Sequence, residues 1–155
     1  MSSEQLYLNV RASVDRAKNS EYKDQESLTS ELEDAKLSLS NDDSQIITDL
    51  INIIEKFKDN KGLAVELIRM LVVIVESIQG QGRGKFKKDE ASKLFNDILL
   101  LVNVSQRDRK FYTSIFDNAV ELIFWGRDWV KSGGWTRFKA FFTKTFSCCT
   151  PCKCC

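Results

Sequence analysis

Asp128-Trp129-Val130-Lys131-Ser132-Gly133-Gly134-Trp135-Thr136-Arg137-Phe138 is the stretch on which the reading of this chain turns. Its order predicts a short helix that stops on Gly133, a tight turn through Gly134, and a second helix that starts on Trp135. Glycine tolerates the left-handed backbone that ends helices, and two in succession let the chain reverse while Trp129 and Trp135 close over the turn. A capped turn with aromatic clips is the plain reading, but the whole order of tryptophans, glycines and Phe138 is rarer than any of its parts.

Working outward, the pattern predicts helices almost everywhere. The single proline is Pro151, so nothing before it forbids a helix, and strand-like alternation is nowhere sustained. Leu6, Val10, Val14 and Ala17 share one face of a first helix over residues 4 to 18. Leu28, Leu32, Ala35 and Leu39 mark a second over 27 to 39, with Ser27 as its expected cap. A third, about 44 to 58, carries Ile46, Ile47, Leu50, Ile53, Ile54 and Phe57 after the start signal Asn41-Asp42-Asp43-Ser44. The fourth, about 63 to 79, is interrupted mainly by Glu66, Arg69 and Glu76 and reads as apolar on nearly every side, which predicts a central helix with the others packed on it.

After a glycine-rich loop at 80 to 84 and a basic patch at 85 to 88, Ala91, Leu94, Phe95, Ile98, Leu99, Leu101 and Val102 define a fifth helix. A sixth, about 108 to 126, carries Phe111, Tyr112, Ile115, Phe116, Ala119, Val120, Ile123 and Phe124. The short piece before Gly133 is the seventh. The eighth, 135 to 146, sets Trp135, Phe138, Phe141, Phe142 and Phe146 beside Arg137, Lys139 and Lys144. The expected fold is therefore all-α: one bundle of about eight helices over residues 1–146, followed by a cysteine-rich tail at 147–155.

Composition narrows the function. A chain of 155 residues suits one domain that buries about 70% of its unfolded surface. Its 23 basic and 22 acidic residues nearly cancel, which argues against a nucleic-acid partner bound through phosphates. Histidine is absent, removing the commonest general base, triad member and zinc ligand. Gly80-Gln81-Gly82-Arg83-Gly84 lacks the lysine and hydroxyl residue of a phosphate loop. No paired acids or nucleophile with a base can be placed on a common face. The expectation is a protein that is not an enzyme and needs no cofactor and no metal. Met1-Ser2-Ser3-Glu4 carries no charged-then-apolar leader, and no apolar run reaches membrane-spanning length, which predicts a cytoplasmic protein.

Trp129, Gly133, Gly134, Trp135 and Phe138 resemble the second homology segment (BH2) of the Bcl-2 family of apoptosis regulators, with one residue fewer between the tryptophans. The resemblance implies an eight-helix bundle in which an apolar groove receives an amphipathic BH3 helix from a partner. It also implies a first homology segment (BH1) ending in Gly-Arg, with two core helices between it and BH2. Gly82-Arg83 stands 53 positions before Trp135 and is the first choice, although Gly80-Gln81 replaces the family's Asn-Trp. By resemblance, Arg83 would pair with the ligand helix's aspartate.

A second register, Glu55 to Gly62 with Asn60 to Gly62 at its end, leads straight into the most apolar helix but leaves one helix too many before the Gly-Gly turn. Trp125-Gly126-Arg127 spells the family's tripeptide too near Gly133 to serve. No BH3 signature appears in the second helix, which favours a receiver of such helices. The implied function is that of an apoptosis inhibitor that sequesters BH3 motifs of pro-apoptotic relatives, similar to virus-encoded members and with host proteins as partners. A homodimer is left open.

All five cysteines, Cys148, Cys149, Cys152, Cys154 and Cys155, lie in the last eight residues. Thiols beside an aromatic and basic segment suit lipidation, with peripheral attachment to mitochondrial or other intracellular membranes. A thiolate metal site and a plain reduced tail are the other readings, and an odd count excludes a fully paired intramolecular set. The alternative function is a lipid-anchored helical adaptor unrelated to apoptosis.

Overall fold

Short polar side chains fix where three of the helices begin. Asp24 accepts a hydrogen bond from the Ser27 backbone N–H at 2.8 Å, so the second helix starts at Gln25 and its cap is Asp24 rather than Ser27. Ser40 does the same for the third, accepting from the Asp43 N–H at 3.3 Å, which moves its start to Asn41. Ser105 caps the sixth by accepting from the Asp108 N–H at 3.2 Å.

A computed structural model describes residues 4–57, 60–79 and 84–125. The described helices are α1 Glu4–Asn19, α2 Gln25–Lys36, α3 Asn41–Phe57, α4 Ala64–Glu76, α5 Gly84–Leu101 and α6 Gln106–Trp125, with a single 3-10 turn at Lys61–Leu63 before α4. Among the described residues there is no strand, so the fold class is all-α. The expected seventh and eighth helices lie outside the described residues.

Adjacent helices pack on one another, and α4 packs against α1, α3, α5 and α6. Its buried positions, Ala64, Val65, Leu67, Ile68, Met70, Leu71, Ile74 and Val75, explain this central place. The expectation of an all-round apolar helix needs one correction. Arg69 and Val73 are exposed and Glu66 and Glu76 partly so, and steps of three, four and three place all four along a single stripe. Glu66 and Arg69 pair along that stripe at 3.4 Å. The helix is amphipathic with a narrow polar edge, and its tight apolar sector faces inward.

The buried side chains of all six helices form one core. Phe95 of α5 stacks on Phe116 of α6, ring centres 4.7 Å apart, and Phe57 at the end of α3 meets Tyr112 of α6 edge-on at 6.0 Å. Each fully buried Leu, Ile or Phe contributes about 1.5–3 kcal/mol relative to exposure.

The turn between α5 and α6 depends on Asn103, whose φ of 60° is left-handed. The Val104 N–H donates to the Leu99 carbonyl at 3.1 Å and the Asn103 N–H to that of Leu100 at 3.2 Å. This paired pattern ends a helix through a left-handed residue, and asparagine is the side chain after glycine that best tolerates it.

Candidate helix-binding site

The residues assigned from sequence to a ligand groove, Gly82 and Arg83, lie outside the described residues, as do Trp129, Gly133, Gly134, Trp135, Phe138 and the five cysteines. What is described is the frame on either side of them. The α4–α5 junction carries Gly82 and Arg83 between two well-anchored ends.

On the α4 side, the Ser77 hydroxyl donates to the Ile74 carbonyl at 2.6 Å and the Ile78 N–H to that of Val75 at 3.1 Å, with both Ser77 and Ile78 buried. On the α5 side, Lys87 is buried with its ammonium 3.3 Å from a Glu76 carboxylate oxygen. Burial of a lysine is tolerated because its aliphatic stem covers apolar surface while its head keeps an opposite charge. The pair ties the end of α4 to the first turns of α5. Val73 and Phe86, exposed at 40% and 45%, are the large apolar side chains that these two helices present near their junction. A Cβ added at Gly84, the first residue of α5, would meet open space.

The second register behaves differently. Asn60 Oδ1 accepts from the Gly62 N–H at 3.1 Å, and the Leu63 N–H donates to the Asn60 carbonyl, so this segment is a turn feeding directly into the central α4. Three helices, α4, α5 and α6, then separate it from Trp129. From Arg83 the interval holds two, α5 and α6, packed on each other. The later register is thus followed by two described helices, and the earlier one by three, of which the first is the central α4.

A polar seam between α1 and α5, invisible in either segment alone, sets the position of α5. Tyr7, Arg11, Asp15 and Lys18 follow one face of α1. The Tyr7 hydroxyl donates to the Glu90 carboxylate. Arg11 reaches Asp15 at 2.5 Å and Asp97 at 2.7 Å, and Lys18 reaches the other Asp97 oxygen at 3.0 Å. Because Tyr7 meets Glu90 while Arg11 and Lys18 meet Asp97, α1 and α5 run in the same direction. Burial, then the bond to Glu90, pushes the Tyr7 phenol well above its ordinary value. The Arg11 hydrogen bond holds the Asp15 carboxyl below the usual carboxylate range. The sequence signal was there in the spacing of four, four and three along α1, but its partners lie more than 70 positions away.

These groups offer structural charge pairing rather than a reacting constellation. Among the described residues no three His, Cys, Asp or Glu side chains gather to hold a metal ion, and no helix is long and apolar enough to cross a membrane. No family model, no curated protein and no solved structure matches the chain.

Proposed function

We propose that this chain is a non-catalytic inhibitor of apoptosis that takes the BH3 helix of a death-promoting partner into an apolar surface groove. One observation carries the reading: α5 and α6, packed together, fill the interval between Gly82-Arg83 and the Trp129 to Phe138 segment. That is the spacing of parts the Bcl-2 resemblance calls for. Val73 and Phe86 support it by offering apolar surface near the α4–α5 junction, and Arg83 supplies the charge that would fix the ligand's register. Helix-in-groove recognition needs such a combination of three or four apolar anchors and one charge pair.

Titration of the full chain against a panel of fluorescent BH3 peptides tests the proposal. The expected outcome is saturable binding of at least one peptide at roughly micromolar Kd or tighter. No binding across the panel, with the chain shown monomeric by light scattering, would end it.

The five clustered thiols favour a second reading, a lipid-anchored adaptor unrelated to cell death. Deleting residues 147–155 separates the two. A groove binder keeps its peptide affinity in solution, whereas an adaptor loses its activity together with its location.

A further inference from the structure

We propose that the outer surface of α2 and α3 is a docking face for the chain's own cationic segment, residues 137–155, which seats its lysines on Glu33, Asp34 and Asp42 beside Leu37. The inference goes beyond the helix-binding reading and does not depend on it.

Charge is spread unevenly over the described helices. From Gln25 to Phe57 there are eight acidic and two basic side chains, a net charge of −6, whereas the other described residues carry 13 basic and 12 acidic ones. The excess charge of the bundle therefore sits on α2 and α3, which pack on each other. Like charges so placed repel, and a counter-charge docked on them offsets that cost.

Helical spacing puts these acids on outer stripes. Glu26, Ser30, Glu33 and Leu37 succeed one another at steps of four, three and four, all exposed, with exposed Asp34 beside them. Arg16 pairs with Glu31 at 2.6 Å and Lys36 with Glu33 at 2.6 Å. Glu26, Asp34 and Asp42 meet no cation among the described residues. Glu33 and Asp34 also lie in the last turn of α2, where the partial negative charge of a helix end disfavours anions. Nothing local offsets that cost for Asp34. Leu37, just past this turn, is 88% exposed, the most open of the large apolar side chains described.

The path of the chain brings a cationic segment to the same end of the bundle. Thr113 donates to Asn96 at 3.0 Å and Ser92 to Asp117 at 3.2 Å, so α6 runs against α5. Because α5 runs with α1, α6 finishes at the end where α1 begins. There Asn9 of α1 donates to Ser38, in the turn between α2 and α3, at 2.9 Å. Arg137 stands 12 positions past Trp125, the last residue of α6. That is a reach of up to about 40 Å, against about 8–10 Å between the axes of packed helices. Residues 137–155 hold Arg137, Lys139, Lys144 and Lys153 and no acidic side chain, with Phe138, Phe141, Phe142 and Phe146 among them to cover Leu37. Tethering keeps this segment at high effective concentration, which favours it over a separate basic partner.

The test is zero-length carbodiimide cross-linking of the full chain, dilute and under reductant, followed by peptide mass spectrometry. The expected result is amide links from Lys139, Lys144 or Lys153 to Glu33, Asp34 or Asp42 within the monomer band. Their yield should fall at least about fivefold in about 1 M sodium chloride, where the screening length shrinks to about 3 Å. Asp34→Asn with Asp42→Asn should lower the yield at the unaltered Glu33 severalfold. Lys139→Gln with Lys144→Gln should do the same for links from Lys153, and it alters no residue of the described core. Links confined to a dimer band, links spread over the exposed acids of every helix, links insensitive to salt, or no links at all overturn the inference.

Discussion

Arg11 and Asp97 meet at 2.7 Å across 86 positions of sequence, and both side chains are nearly nine-tenths buried at 11% and 13% exposure. Neither is a simple partner of the other. Arg11 also holds Asp15, Asp97 also holds Lys18, and the second terminal nitrogen of Arg11 is buried without a hydrogen-bond partner. Removing one member of a two-residue buried pair costs about 3–5 kcal/mol. Here each survivor keeps a second partner, so Asp97→Leu should cost about 2 kcal/mol by urea unfolding. The double change Arg11→Met with Asp97→Leu should cost less than the sum of the two single changes.

Tyr7 should contribute stability that is lost at alkaline pH. Its folded-state pKa is raised, chiefly by burial and then by the Glu90 bond, so the group is protonated in both states below about pH 10 and its contribution is complete there. Above that pH the unfolded phenol ionises while the folded one retains its proton, and stability falls as pH rises. The urea midpoint should therefore drop between pH 9 and pH 11, and Tyr7→Phe should make that drop shallower. Asp15 acts at the other end. Its lowered pKa adds stability above the usual carboxylate range, which is lost as pH falls through the folded value.

Asn103 occupies a left-handed position that closes α5. Asn103→Gly should be neutral or raise stability by up to about 1 kcal/mol, whereas Asn103→Val should lower it by roughly 1–2 kcal/mol. Thermal unfolding of the three chains side by side checks the order.

Leu71 and Val73, two positions apart on α4, should respond very differently to truncation. Leu67 and Leu71 are fully buried, while Arg69 and Val73 lie on the exposed edge. Leu71→Ala should cost about 2–5 kcal/mol. Arg69→Ala and Val73→Ala should stay within about 0.5 kcal/mol of the parent. Equal losses at Leu71 and Val73 in chemical denaturation would mean that the helix is enclosed on every side.

The helices were legible because each carries enough core residues at steps of three and four to fix its face, as Leu6, Val10, Val14 and Ala17 do in α1. Their starts were less so. Asp24, Ser40 and Ser105 each sit one or more residues ahead of the first apolar position, where several polar residues compete for the cap. The polar edge of α4 was present in the spacing of Glu66, Arg69 and Glu76 but obscured by the high apolar content around it. Lys87 reads as surface charge within the run 85 to 88, and only the packing of α4 on α5 reveals its burial beside Glu76. Long-range pairs such as Arg11 with Asp97 show one half in the spacing along α1, while nothing local points to the partner 86 positions away. Of the candidate site, the described helices reach only its flanks, since Arg83 and the Trp129 to Phe138 segment lie beyond them.

The role of Arg83 is the point on which the proposed function is most exposed. A charge-exchange cycle on the full chain measures it: Arg83→Glu against a bound BH3 peptide, and each chain again with the peptide's aspartate changed to lysine. A groove that pairs Arg83 with that aspartate should lose at least tenfold in affinity from either change alone, about 1.4 kcal/mol. It should recover most of that loss when both are made, with the unfolding midpoint unaltered. Single changes that leave Kd where it was, or losses that simply multiply in the double exchange, would contradict the account.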